Sequence, residues 1–205
     1  LNALLRAAEV LSGRESLTVQ AAAMLLLDHV HTSMPRQKRP LKILQEMDCG
    51  NMSLALLREA KARRIHATIE TCGHYPTDVL EEACRLLDAL IFDVKCLDSE
   101  RHKASTGVGN ELILRNLHFV FEHFPDLPVL VRTPVIPGFN DTEEDILSIR
   151  EMLPKRSTVR YEALTYHRMG QPKYGYLGRP YPLEGVKADE AFMTRLNAML
   201  KAYQQ

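Results

Sequence analysis

The chain has 205 residues, 45% of them hydrophobic and 25% charged, which suits one globular domain with a sizeable core. Lys plus Arg equals Asp plus Glu at 26 each, and a net charge of zero excludes a general nucleic-acid binder. No apolar run reaches the roughly 20 residues of a bilayer span and no secretion signal is present, so no membrane partner and a cytoplasmic location are expected. The cysteines, Cys49, Cys72, Cys84 and Cys96, include no close pair. They form neither a disulfide framework nor an iron-sulfur run, and Cys84 reads as a buried helix residue.

In chain order, Asn2 to Leu11 reads as a short helical piece closed by Ser12-Gly13, and Leu17-Thr18 as the N-cap of a helix from Val19 to about His31. Pro35 to Lys42 is basic and proline-bearing, and Asp48-Cys49-Gly50-Asn51 carries a turn signal. From Ser53 onward the pattern becomes regular. An amphipathic helix ends near Arg64, and strands are expected at Ile65–Thr71, Ala89–Lys95, Leu127–Ile136 and Thr158–Thr165. Helices are expected at Asp78–Leu87, Asn110–His123, Asp141–Leu153 and Lys187–Tyr203. Four strands alternating with helices, with connections long enough for crossovers, predict an α/β fold with a parallel sheet. Ligands in such folds bind at the carboxyl ends of the strands.

Those ends carry the polar residues. Asp93 and Lys95 lie two apart, so in a strand they share a face, and such a pair must meet each other or a charged ligand. Glu70 and Thr71 end the preceding strand, with Gly73 permitting a tight turn or a close backbone approach. Glu70 and Asp93 together could hold a cation or a ligand amine. Arg132 lies midway along an apolar run, where its planar fork suits a carboxylate on a ligand or on Glu162. His167 follows Tyr166 at the last strand exit. Cys72 and His74, with Cys96 and His102, invite a zinc reading, but the close cysteine pair of a zinc site is missing.

Several segments together resemble the activating enzymes of glycyl-radical enzymes, in the radical S-adenosylmethionine family. They are His66-Ala-Thr-Ile-Glu-Thr-Cys-Gly73, Phe92-Asp-Val-Lys95, His102-Lys-Ala-Ser-Thr-Gly107, Arg132 to Asp141 and Tyr166-His-Arg-Met-Gly170. The resemblance spans about residues 53–205 and implies an α/β fold: an incomplete (β/α) partial barrel with about four recognisable parallel strands. It implies an oxidoreductase that reductively cleaves S-adenosylmethionine with a [4Fe-4S] cluster and abstracts a hydrogen from a glycine of a partner enzyme. It implies S-adenosylmethionine contacts from Lys95 and His167, and an amino-acid end lined by Glu70, Thr71 and Asp93 with a monovalent cation. Arg132 would stand beside the cofactor. The implied partners are a glycyl-radical enzyme and an electron donor such as flavodoxin or ferredoxin.

The family's Cys-x3-Cys-x2-Cys loop does not occur in this sequence, so the chain itself is expected to lack the cluster and its radical chemistry. The family's Gly-Gly-Glu-Pro motif is likewise missing, and residues 34–52, where it belongs, are aberrant. Two compensating frame shifts would account for that stretch. Residues 1–16 resemble the end of a ferredoxin-like insertion, and residues 17–205 the partial barrel. Two other functions stay open from the sequence: a non-catalytic remnant that binds S-adenosylmethionine or the partner, and an unrelated barrel enzyme using Lys95 as a Schiff-base former.

Overall fold

Alternate residues of the predicted strands are large and apolar, and in the computed structural model they bury one face of a parallel sheet. The structure describes residues 16–18, 49–176 and 178–202. The elements are β1 (Ser16–Thr18), α1 (Cys49–Ala62), β2 (His66–Thr71), α2 (Thr77–Leu86), β3 (Ala89–Asp93) and α3 (Ser99–Thr106). They continue with α4 (Glu111–His123), β4 (Val129–Val135), α5 (Glu143–Met152), β5 (Val159–Thr165), α6 (Gln171–Tyr176) and α7 (Glu190–Ala202). The strands form one parallel sheet in the order β1-β2-β3-β4-β5.

A sheet whose order follows the chain has every crossover running the same way, so right-handed connections place their helices on one face. That is the construction of a barrel wall. The burial pattern agrees. Along β4, Val129, Val131, Thr133 and Val135 are buried, while Leu130, Arg132 and Pro134 between them are only partly covered. Leu90 and Phe92 of β3, and Tyr161 and Ala163 of β5, lie on the same covered side. Against them pack Leu80, Ala83 and Cys84 of α2, Leu117 and Val120 of α4, Ile146 and Ile149 of α5, and Leu196 of α7. Burial of a side chain such as Phe92 or Leu117, both fully inaccessible, stabilises by about 1.5–3 kcal/mol.

The four anticipated strands all form. At the edge of the sheet beside β2, β1 aligns Ser16, Leu17 and Thr18 with His66, Ala67 and Thr68. Leu17 and Thr18 are thus strand, not a helix cap: a three-residue strand carries too little alternation to be seen. Cys49 to Asn51 form the first turn of α1 rather than a turn before it; Gly50 is tolerated there because the helix continues through a long periodic stretch. The expectations for residues 1–15 and 19–48, including the helix from Val19, the insertion remnant and the aberrant part of 34–52 before Cys49, lie outside the described residues. Among the described residues no helix is long and apolar enough to cross a membrane.

Candidate functional site

Paired residues in a parallel register share a face, as do residues two apart along a strand. Glu70 aligns with Ile91, and Asp93 aligns with Arg132, which in turn aligns with Glu162. Glu70, Asp93 and Arg132 therefore stand together on the face opposite the helix-packed core, the two acids at the carboxyl ends of β2 and β3 and the arginine midway along β4. Arg132 forms an ion pair with Glu70 and bonds Asp93 Oδ1 through Nη2 at 3.2 Å and Nε at 3.3 Å. Lys95 Nζ lies 3.9 Å from Asp93 Oδ2. Two acids and two bases thus balance, with side chains 16% (Arg132), 21% (Asp93), 28% (Lys95) and 32% (Glu70) exposed.

Burial works against the charge of Arg132, yet Asp93 and Glu70 outweigh it and hold its pKa above the usual arginine value. The arginine turns to these two carboxylates, not to Glu162, which stands exposed on β5. Two acids on the β2–β3 side give its fork more than one acid on the other.

The remaining expected site residues are placed differently. Thr71 aligns with Phe92 on the helix-covered face, and its Oγ1 accepts a hydrogen bond from Gly73 N at 3.0 Å. It is therefore not brought face to face with Glu70 and Asp93. His167 lies two residues beyond β5 and is exposed. Gly73 adopts φ +70°, and a Cβ there would collide with the Phe92 ring, so the close backbone approach expected of this glycine is real.

Three buried amides, which no sequence pattern announces, hold the strand exits in place. Asn116 donates to Gly73 O at 2.7 Å and Tyr75 O at 2.8 Å, tying α4 to the exit of β2. Asn110 donates to Cys96 O at 2.8 Å and Leu97 O at 2.9 Å, and Asn140 to Lys95 O at 2.6 Å and Pro134 O at 2.9 Å. All three are buried. Fully buried carbonyls outside a ladder need donors, and these amides supply them. A buried asparagine beside a strand exit looks, in a sequence, like any turn residue.

Cys72, Cys84 and Cys96 do not converge. Cys72 is exposed at the end of β2, Cys84 is buried on α2, and Cys96 is buried with its thiol donating to Asp98 O at 3.1 Å. Burial pushes the Cys84 thiol up to about 12, which keeps it protonated and a poor ligand. Among the described residues no group of three or more His, Cys, Asp and Glu side chains could hold a metal ion. His102, one of the residues in the zinc reading, uses its Nδ1 with Val108 O at 2.7 Å. An iron-sulfur cluster does not fit the described residues.

No family model matches the chain. Individual proteins do. The (2S)-3-sulfopropanediol sulfolyase activating enzyme of Bilophila wadsworthia is 78% identical over 155 residues, 76% of this chain and 51% of that protein. The isethionate sulfite-lyase activating enzyme of Oleidesulfovibrio alaskensis is 47% identical over 73% of this chain and 48% of its own length. The pyruvate formate-lyase-activating enzyme of Streptococcus mutans is 35% identical over 65% and 53%. The chain spans about half the length of the curated relatives it matches. A crystal structure of a domain of pyruvate-formate lyase-activating enzyme from Bacteroides vulgatus superposes with a TM-score of 0.58 at 25% identity, covering 75% of this chain and 86% of that one. By sequence and by its α/β fold, the chain is a relative of the activating enzymes of glycyl-radical enzymes.

Proposed function

We propose that the chain is the part of a glycyl-radical-enzyme activating enzyme that holds the amino-acid end of S-adenosylmethionine. The observation that carries this reading is the balanced group of Glu70, Asp93, Arg132 and Lys95 on the face opposite the helix-packed core, around the exits of β2 and β3. A methionine moiety brings one ammonium and one carboxylate, and these charges match the acids and bases present. Lys95 would hold the carboxylate and Asp93 the ammonium, with Glu70 second to it. A monovalent cation would complete this end beside Glu70 and Asp93, whereas Thr71, on the other face of β2, would act only through the turn at Gly73. Arg132 would release one acid as the ligand ammonium replaces it, and His167 would approach from the β5 exit toward the nucleoside.

Bound S-adenosylmethionine, with a [4Fe-4S] cluster, supplies in this family the abstraction of a hydrogen atom from a glycine of the partner. The cluster's ligands are not among the described residues, so the contribution assigned here is binding and orientation. The similarity to the Bilophila protein supports a sulfolyase as the partner; flavodoxin or ferredoxin as electron donor and a cytoplasmic location are what the family resemblance implies.

Calorimetric titration of the chain with S-adenosylmethionine tests the reading. Lys95→Met and Asp93→Asn are each expected to weaken binding by about tenfold or more, the loss of one charge-assisted contact. Binding that is equal in the wild type and both variants, or no binding by the folded wild type, overturns it.

A further inference from the structure

The ladder between β3 and β4 ends at Asp93 and Arg132, with one further bond from Val94 N to Arg132 O at 3.0 Å. Beyond it, four consecutive carbonyls leave the sheet, and each is taken by a side chain of another element. Thr133 Oγ1 donates to Val94 O at 2.7 Å, Asn140 Nδ2 to Lys95 O at 2.6 Å, and Asn110 Nδ2 to Cys96 O and Leu97 O at 2.8 and 2.9 Å. Such a run of tertiary bonds fixes the backbone where an unbound strand exit would move.

Asn140 is the centre of this arrangement. It is fully buried. Its Oδ1 accepts from Ile136 N at 2.6 Å and its Nδ2 also reaches Pro134 O at 2.9 Å, so its own turn holds the carboxamide rigid. Every hydrogen-bonding group of the amide has a partner. The one that leaves the turn is the carbonyl of Lys95.

We propose that Asn140 is a positioning residue for Lys95: by clamping the lysine carbonyl, it sets where the ammonium stands beside Asp93. Thr133 acts on the adjoining carbonyl in the same sense. The consequence for ligand affinity rests on the reading given above, whereas the clamp itself does not.

The test uses the full chain and the Asn140→Ser variant, with Lys95 acetylation by acetic anhydride measured by mass spectrometry against exposed Lys155 as internal reference. Amide hydrogen exchange over residues 94–98 is followed in parallel. The clamp predicts exchange there at least about tenfold faster, a Lys95 acetylation rate changed by about threefold or more, and S-adenosylmethionine binding weakened by about tenfold. A folded Asn140→Ser chain with unchanged exchange and unchanged Lys95 reactivity overturns the proposal. So does undiminished binding where Lys95→Met binds weakly. If Asn140→Ser does not fold, Thr133→Val carries the test, with Thr133→Ser expected to restore the wild-type rates, and an unchanged Lys95 rate in Thr133→Val overturns the proposal. Equal binding by wild type and Lys95→Met counts against the cofactor reading instead, and the acetylation and exchange rates still decide the clamp.

Discussion

Replacing Arg132 by Met would leave Glu70 and Asp93 on neighbouring strands with only Lys95 to offset two negative charges. Removing one member of a partly buried ionic group costs more than its pairwise attraction suggests, because the partners stay desolvated and unpaired. With these side chains up to 32% exposed, solvent screens part of the effect, and a loss of about 1–3 kcal/mol is expected in urea unfolding. The further change Glu70→Gln, made in the Arg132→Met background, should restore part of that loss. Strict additivity of the two changes would show that the acids do not share the arginine. The period of a strand makes Asp93 and Lys95 legible as a facing pair from their spacing alone. The choice of Arg132 between Glu162 and the β2–β3 acids was not legible, because it depends on register across three strands. The burial of Asn110, Asn116 and Asn140 was hidden for a related reason: an amide's role is set by which carbonyls the fold brings to it.

At the scale of elements, α3 is the instructive case. Its sequence, Ser-Glu-Arg-His-Lys-Ala-Ser-Thr, has almost no apolar residue and so offers no helical period to read. Its ends form it instead: Asp98 caps the N-terminus by accepting from Arg101 N at 2.9 Å, and Gly107 closes it at φ +89°. The helix is then fastened to α5 by a two-point ion pair between Arg101 and Asp145. Burial opposes ionisation of Asp145, but its bonds to Arg101 and Thr142 prevail and hold its carboxyl below the ordinary aspartate value of 3.8. A carboxyl depressed by folding contributes stability that is fully present above its unfolded pKa and is lost as pH falls through the folded one. Asp145→Asn should therefore cost about 1 kcal/mol at neutral pH, a figure reduced because Arg101 is 40% exposed. The gap between variant and wild type should close below about pH 4. A gap that is constant from neutral pH into that acid range would mean that the carboxylate charge is not what joins α3 to α5.

For the whole molecule, the decisive feature is that, among the described residues, the apolar core packs on one side of the sheet. Parallel sheets are almost always buried on both faces, and in a barrel wall the ligand site gathers at the carboxyl ends of the strands. The α/β class and the parallel sheet were legible from the alternation of strands and helices; the short β1 was not, since three residues carry no pattern. On the opposite face Glu70, Asp93, Arg132 and Lys95 already pair with one another, and a ligand ammonium and carboxylate would exchange into those pairs, so ligand binding should stabilise the native state by mass action. At a hundredfold excess over Kd the gain is about 2.7 kcal/mol. For a chain of 205 residues, each kcal/mol raises Tm by about 2–4 °C, so S-adenosylmethionine at that concentration should raise Tm by about 5–10 °C. Lys95→Met at the same ligand concentration should show about half that rise, since a tenfold weaker Kd removes about 1.4 kcal/mol of the gain. S-adenosylmethionine that leaves Tm unchanged at every concentration tried would mean that this face does not take the cofactor. An equal rise in Lys95→Met would place the bound molecule away from the β3 exit.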